Sequence, residues 1–184
     1  MTTTETGPPS SIERVIHRVE SDPAALAELR RGVGRSLEDS PDSWPYVAEI
    51  AGTKRWREPA AHLAIGLFAL HHQSRAPGSM NKEGWSLGKA CRVLAFRRKS
   101  SGASEDGVAR RCQAALAAET PEALGVHLRG LVTLLRGEEV PLDYKRLYSD
   151  LCSWLWPESR RRVCLAWARD YFATRSDDNK ENDQ

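Results

Sequence analysis

Two apolar helix faces joined by a short turn, centred on residues 127–155, constrain the fold of this chain most. In the first segment, leucine and valine recur every three or four residues. This spacing places them on one face of an α-helix. Gly137 and Pro141 favour a break after that helix, and Asp143 is a suitable N-cap for the next one. The pattern therefore predicts an αα-hairpin. Its first apolar face consists of Leu124, Leu128, Leu131, Val132 and Leu135.

The second helix of the hairpin repeats the arrangement with larger side chains. Basic residues lie outside both apolar faces: Arg129 and Arg136 flank the first, and Lys145 and Arg146 point away from the second. These cations either keep the protein soluble or bind a polyanion. The predicted buried face of the second helix contains Tyr144, Leu147, Tyr148, Leu151, Trp154 and Leu155.

Composition extends the helical prediction to the whole chain. Its 184 residues are 40% apolar, and runs of β-branched residues are absent. We therefore expect an all-α protein with no sheet and about nine helices, forming one domain or two small ones. Residues 60–71 are apolar on nearly every side and predict the central core helix of the first half of the chain. Residues 74–86 lack periodicity and are interpreted as a mobile segment or a domain boundary.

Charge is distributed unevenly along the chain. The net charge is +2, but residues 1–20 carry −1 and residues 177–184 carry −3, which leaves +6 on residues 21–176. A basic body with acidic ends is compatible with a nucleic-acid surface. An arginine-rich composition with no binding role is the alternative.

Sequence signatures of catalysis and metal binding are missing. There is no glycine-rich phosphate loop, no G-x-S-x-G and no H-E-x-x-H. His71 and His72 are interpreted as cations at a helix C-terminus rather than as metal ligands. We expect no enzymatic activity, no metal and no cofactor. The cysteines lack a C-x-x-C pair and are predicted to be buried free thiols: Cys91, Cys112, Cys152 and Cys164.

Trp56 lies between cations, with Lys54 and Arg55 before it and Arg57 after it. Such a ring can stack on a nucleic-acid base while the cations bind phosphates. A core anchor next to a loop is the more common role, and the sequence favours it. No signal peptide and no apolar run of about 20 residues is visible, so we expect a cytoplasmic protein.

Several short segments, taken together and in this order, resemble a known family. They cover roughly residues 26–173. The chain resembles the CasB family, the small subunit of the type I-E CRISPR surveillance complex Cascade. The segments are LRRG (29–32), FALHHQ (68–73), WSLGKA (85–90), ARRC (109–112), HLRGLVTLLRG (127–137) and VPLDYKRLYSDLCSW (140–154).

This resemblance implies two small helical bundles packed together and no catalytic activity. We assign the bundles to residues 11–85 and 86–175, with disordered tails at 1–10 and 176–184. The implied partners are the backbones of guide RNA and target DNA, other Cascade subunits and a second copy of the chain. In that family the basic surface steadies the R-loop and the displaced strand without reading sequence.

The resemblance also implies which cations bind nucleic acid. Those at matching positions are Arg30, Arg31, Lys89, Arg110, Arg111, Arg129, Lys145 and Arg146. Surface placement adds Arg92, Arg97, Arg98, Arg136 and Arg162. Two alternatives remain at this point. One is a helical protein–protein adaptor without nucleic-acid contact, and the other is a transcription regulator, which would need sequence preference.

Overall fold

The computed structural model describes residues 10–73, 75–102 and 106–173. Within these ranges the chain forms nine α-helices, two short 3₁₀ turns and no strand. An isolated parallel bridge joins Asn81 to Leu142. The all-α prediction is therefore confirmed. The predicted disorder of the tails lies outside the described residues, except that Ser10 is the N-cap of the first helix.

Proline and capping side chains begin most of the helices. Asp22 accepts hydrogen bonds from the main-chain N–H groups of Ala24 and Ala25, and Thr120 accepts one from Ala123. The helices are α1 (Ser11–Val19), α2 (Pro23–Gly32), α3 (Trp44–Ala51), α4 (Glu58–His72), α5 (Leu87–Ser100), α6 (Asp106–Leu116), α7 (Pro121–Gly137), α8 (Tyr144–Trp154) and α9 (Pro157–Phe172).

Helix α4 is a centre of the packing for the first half of the chain, as the sequence predicted, and for the αα-hairpin as well. It contacts α2, α3, α7 and α8. Ala61, Ile65, Leu67 and Phe68 are almost completely buried, so α4 has apolar contacts on several sides. The buried cluster runs from Ile12 in α1 to the last helix. Division of the chain at residue 85 stays a prediction.

The segment before α5 is fixed to the turn of the αα-hairpin. The main-chain N–H of Leu142 donates to the Met80 carbonyl over 3.2 Å, and that of Asp143 donates to the Trp85 carbonyl over 2.8 Å. The Asp143 carboxylate accepts from the main-chain N–H of Gly84 at 2.9 Å, while also capping α8 at Arg146. This segment and the hairpin therefore support each other.

Helices α5 and α9 approach closely at Gly88. A Cβ atom at this position would lie against the Trp167 carbonyl oxygen, 2.8 Å from Asp170 Cβ and 2.9 Å from the Tyr171 nitrogen. Only glycine gives the two backbones room for this contact. The glycine of the SLG sequence is thus a packing residue.

The histidines at the end of α4 correct one interpretation made from the sequence. His71 and His72 are both fully buried. His71 Nδ1 lies 3.0 Å from Tyr144 Oη, and His72 Nε2 lies 3.0 Å from the Glu20 carbonyl oxygen. Burial lowers the pKa of His71 to about 4, so its imidazole is neutral at pH 7 rather than cationic.

Candidate nucleic-acid interface

Arg129 connects the middle of α7 to the end of α2. Its Nη1 lies 3.5 Å from the Val33 carbonyl oxygen, and 3.2 Å from the position of a Cβ at Gly34. Gly34 has a φ of +84°, a conformation in which the chain can pass beneath the guanidinium group. Arg129 itself remains exposed. Its remaining N–H groups can therefore meet an external acceptor.

Arg111 of α6 lies against α7 at Gly130. Its Nε lies 3.4 Å from where a Cβ of Gly130 would be. Its Nη1 donates to the Gly107 carbonyl one turn earlier, over 3.1 Å. Because Gly130 has no side chain, the stem of Arg111 rests directly on α7 with its head at the surface. Arg111 of α6 thus contacts α7 at the residue that follows Arg129 in the chain.

Three further arginines lie at the end of α2 or just after it, within three residues of Val33, whose carbonyl Arg129 contacts. Arg31 lies 3.8 Å from Asp42, and both side chains are exposed, so this ion pair is weak. Arg30 is half-buried and Arg35 is exposed. The main chain of Arg35 is fixed by His62, whose Nε2 lies 3.3 Å from its carbonyl oxygen. We call the following set the basic strip: Arg30, Arg31, Arg35, Arg111 and Arg129.

Three other predicted cations lie beside acidic side chains. Lys145 Nζ is 3.4 Å from Glu13, and Arg98 is 3.9 Å from Glu138. Arg146 donates to Asp170 over 3.0 Å. Phosphate binding by these cations would compete with internal partners.

The ion pair of Lys145 illustrates that competition. Burial alone would raise the pKa of Glu13. Hydrogen bonds from Ser10 and the positive charge of Lys145 outweigh this effect and lower the pKa. The Glu13 carboxylate is therefore ionised at neutral pH and available to hold Lys145.

A third group of predicted cations binds main-chain carbonyl groups. Arg92 donates to the Ala173 carbonyl over 2.8 Å, and Arg97 donates to that of Glu138. Arg136 lies 3.3 Å from the Leu70 carbonyl, in the last turn of α4. Cations at the carbonyl ends of helices stabilise them. These arginines therefore contribute to the fold.

The remaining predicted cations lie outside the strip. Arg162 donates to Ser159 over 3.0 Å within the first turn of α9. The Lys89 ammonium lies 5.6 Å from the centroid of the Trp85 ring. Arg110 is exposed on α6, one residue before Arg111.

No metal-binding cluster accompanies these cations in the part of the chain that the structure describes. There, no group of three or more His, Cys, Asp or Glu side chains could hold a metal ion. Asp150 is half-buried and accepts a hydrogen bond from Trp167 Nε1 over 2.7 Å. Burial raises the pKa of Asp150. None of the described helices is long and apolar enough to span a membrane.

Comparison with known proteins identifies the family. The model of the family described as CRISPR-associated protein Cse2 matches residues 25–172. The crystal structure of CasB from Thermobifida fusca matches with 32% identity and a TM-score of 0.71, over 89% of this chain and 96% of that one. The chain belongs to the Cse2 (CasB) family. The resemblance seen in the sequence is thereby confirmed.

Other solved structures agree with the Cse2 assignment. CasB from Thermus thermophilus is 27% identical, with a TM-score of 0.69, over 90% of this chain and all of that one. A chain of a CRISPR RNA-guided surveillance complex is 25% identical, also with a TM-score of 0.69, over 94% of this chain and 95% of that one. No curated protein sequence matches this Cse2 family member.

Sequence reasoning missed one part of the strip in this Cse2 protein. Arg35 was not predicted, although it follows Arg30 and Arg31 within the same short run, LRRGVGR. The positive φ of Gly34 turns the chain immediately before Arg35. The two glycines in this basic run were the sequence feature from which a turn that exposes Arg35 could have been predicted.

Proposed function

We propose that the chain is a non-catalytic subunit of an RNA-guided surveillance complex and acts in the cytoplasm. There it binds the backbones of guide RNA and target DNA without reading sequence. It thereby steadies the R-loop and the displaced strand. Membership of the Cse2 family and the likeness to a chain of a CRISPR RNA-guided surveillance complex support this role.

The basic strip is the observation that carries the proposal. Arg111 of α6 lies against α7 at Gly130, the residue that follows Arg129 in the chain, and both arginines are exposed. The planar guanidinium group presents paired N–H donors that match phosphate oxygens. Because the supporting helices are packed, little ordering is needed when a phosphate arrives.

Modest contacts of this kind are sufficient for the proposed task. An RNA–DNA hybrid is about as stable as the DNA duplex that it replaces, so a few backbone contacts can shift strand exchange. Such contacts release counterions and make binding depend on salt rather than on sequence. A scaffold that holds arginines in place is suited to this role.

Exposed apolar side chains support a place among protein neighbours. Val126 is 67% exposed and Phe172 is 72% exposed, while Leu165 on α9 is about half exposed. They suit contacts with other subunits or with a second copy of the chain. The same side chains favour the alternative function, a helical protein–protein adaptor that does not contact nucleic acid.

Two double variants with reversed charges distinguish nucleic-acid binding from the adaptor function. The variant Arg111→Glu with Arg129→Glu changes the strip, and Arg161→Glu with Arg169→Glu makes the same change of net charge on exposed positions of α9. Binding to DNA and RNA of unrelated sequences is measured by mobility shift at low and moderate salt. Helical content is checked by circular dichroism.

We expect the strip variant to lose binding to every sequence while the α9 variant retains most of it. Equal losses in both variants would mean that only net charge matters. Absence of binding by the wild-type protein at low salt would favour the adaptor.

A further inference from the structure

Two tryptophan rings form an exposed pair outside the basic strip. Trp56 is 42% exposed and lies in the 3₁₀ turn Arg55–Arg57, between α3 and α4. Trp156 is 51% exposed and immediately precedes α9. Their ring centroids are 5.7 Å apart, with an angle of 66° between the planes. Trp56 is thus not the buried core anchor that the sequence favoured.

The main chain holds both rings in place. The N–H of Arg57 donates to the Lys54 carbonyl over 2.8 Å, and the N–H of Trp156 donates to that of Ser153 over 3.1 Å. The Arg57 guanidinium lies 5.0 Å from the centroid of the Trp56 ring. The two rings are thus oriented before any ligand binds, which lowers the entropic cost of binding.

Near the pair in the chain, four cations (Lys54, Arg55, Arg57 and Arg160) outnumber two acidic residues (Glu58 and Glu158). Lys54 and Arg55 are exposed beside Trp56. Arg160, one turn into α9, covers the ring of Trp154 at 4.2 Å and donates to the Glu119 carbonyl over 2.9 Å. Aromatic rings flanked by cations are typical of sites for unpaired nucleic acid, where bases stack and phosphates meet positive charge. Lysine is instead depleted at the centre of protein interfaces.

The position of the pair relates it to the basic strip. Leu63 of α4 lies 3.6 Å from where a Cβ of Gly125 would be, and Arg136 lies 3.3 Å from the Leu70 carbonyl. Helices α4 and α7 therefore run in the same direction. Trp56 precedes Leu63 by seven residues, and Arg129 follows Gly125 by four. At 1.5 Å per helical residue these eleven positions correspond to about 16 Å along the helix axes, a span of a few nucleotides.

We propose that Trp56 and Trp156 form a stacking site for the bases of unpaired nucleic acid, on a strand whose backbone continues to the basic strip. The site rests on the nucleic-acid binding proposed above and deepens it. It gives the surface a preference for single strands, because the bases of a duplex are already stacked and cannot reach the rings.

The test compares three labelled ligands of equal length: oligothymidylate, an abasic strand and a blunt duplex. Their affinities are measured by fluorescence anisotropy for the wild-type protein, Trp56→Leu, Trp156→Leu and Trp156→Phe. Trp44→Leu is the matched control, because Trp44 is 41% exposed but is not part of the pair. Circular dichroism and thermal unfolding report folding of each variant.

We expect each leucine variant of the pair to bind oligothymidylate at least about fivefold more weakly, with Trp156→Phe retaining part of the affinity. Binding of the abasic strand and of the duplex should change little, and Trp44→Leu should behave as the wild type. If a leucine variant does not fold, the affinities of the wild-type protein still test the stacking site. Stacking requires that it bind oligothymidylate more tightly than the abasic strand.

Equal affinity of the wild-type protein for oligothymidylate and the abasic strand would overturn the stacking site alone. Equal losses on all three ligands in the leucine variants would also overturn it, and would indicate a contact with protein or a change in the fold. Failure of the wild-type protein to bind any of the three would overturn the proposed function and the site together.

Discussion

Acidification should destabilise the chain through His71. Its imidazole is buried at the end of α4, beside Tyr144 Oη. Burial lowers its pKa to about 4, and the positive charges of Arg75 and Arg136 act in the same direction. An unfolded histidine has a pKa of about 6.5. Between pH 6.5 and 4 the unfolded chain therefore binds a proton that the folded chain rejects, so stability falls as the pH falls through this window.

The size of the effect follows from the two pKa values. Each unit of difference corresponds to about 1.4 kcal/mol, so His71 alone should remove about 2.5 kcal/mol of unfolding free energy between pH 7.5 and 4.5. This is a large fraction of the roughly 5–15 kcal/mol that stabilises an ordinary domain.

Urea unfolding at a series of pH values measures this loss, with His71→Gln as the comparison. Glutamine does not titrate, and its amide can still meet Tyr144. Burial also lowers the pKa of His62, which contributes in the same direction in both proteins. The difference between wild type and variant therefore isolates His71.

We expect the stability of the wild type to fall more steeply than that of His71→Gln below pH 6.5. Parallel curves for the two proteins would refute the reasoning. So would an NMR titration in which the His71 ring protonates near pH 6.5 in the folded protein.

Three substitutions, and one control at Gly137, test the packing by urea or thermal unfolding. Gly88→Ala should cost more than about 2 kcal/mol, because its Cβ would meet the backbone of α9, whereas Gly137→Ala, with open space around it, should be tolerated. If Gly88→Ala left the free energy of unfolding unchanged, α5 and α9 would have to lie further apart at this residue than the structure places them. Tyr144→Phe removes the hydroxyl that donates to the Leu67 carbonyl over 3.2 Å and should cost about 1–3 kcal/mol; no loss would mean that the hydroxyl is not needed. Asp143→Ala removes acceptors for two main-chain N–H groups and should cost about 1–2 kcal/mol, so an unchanged midpoint would contradict the capping role.

Local patterns were sufficient to predict the αα-hairpin and the central helix. The apolar spacing in α7 reports one buried face, and Leu128, Leu131 and Leu135 are fully buried. Asp143 was recognisable as an N-cap because its role depends on residues next to it in the chain. Features set by neighbouring residues can be predicted from sequence.

Contacts between residues far apart in the chain set the features that could not be predicted from the sequence. His71 and His72 are buried against Tyr144 and Glu20, each more than 50 positions away. Lys145 meets Glu13 from the other end of the chain. Sequence alone cannot separate an arginine that has an internal partner from one that faces solvent. Resemblance supplied the family, but the contacts of Arg111 at Gly130 and of Arg129 at Val33 required the fold.

The salt dependence of nucleic-acid binding tests the central claim most directly. The measurement is the slope of log K against log salt for duplex DNA, for the wild type and for the Arg111→Ser, Arg129→Ser variant. Each lost phosphate contact should reduce the slope by about 0.9, so the variant should be shallower by about 1.8. Identical slopes, or wild-type binding that does not depend on salt, would contradict a backbone-binding role for the basic strip.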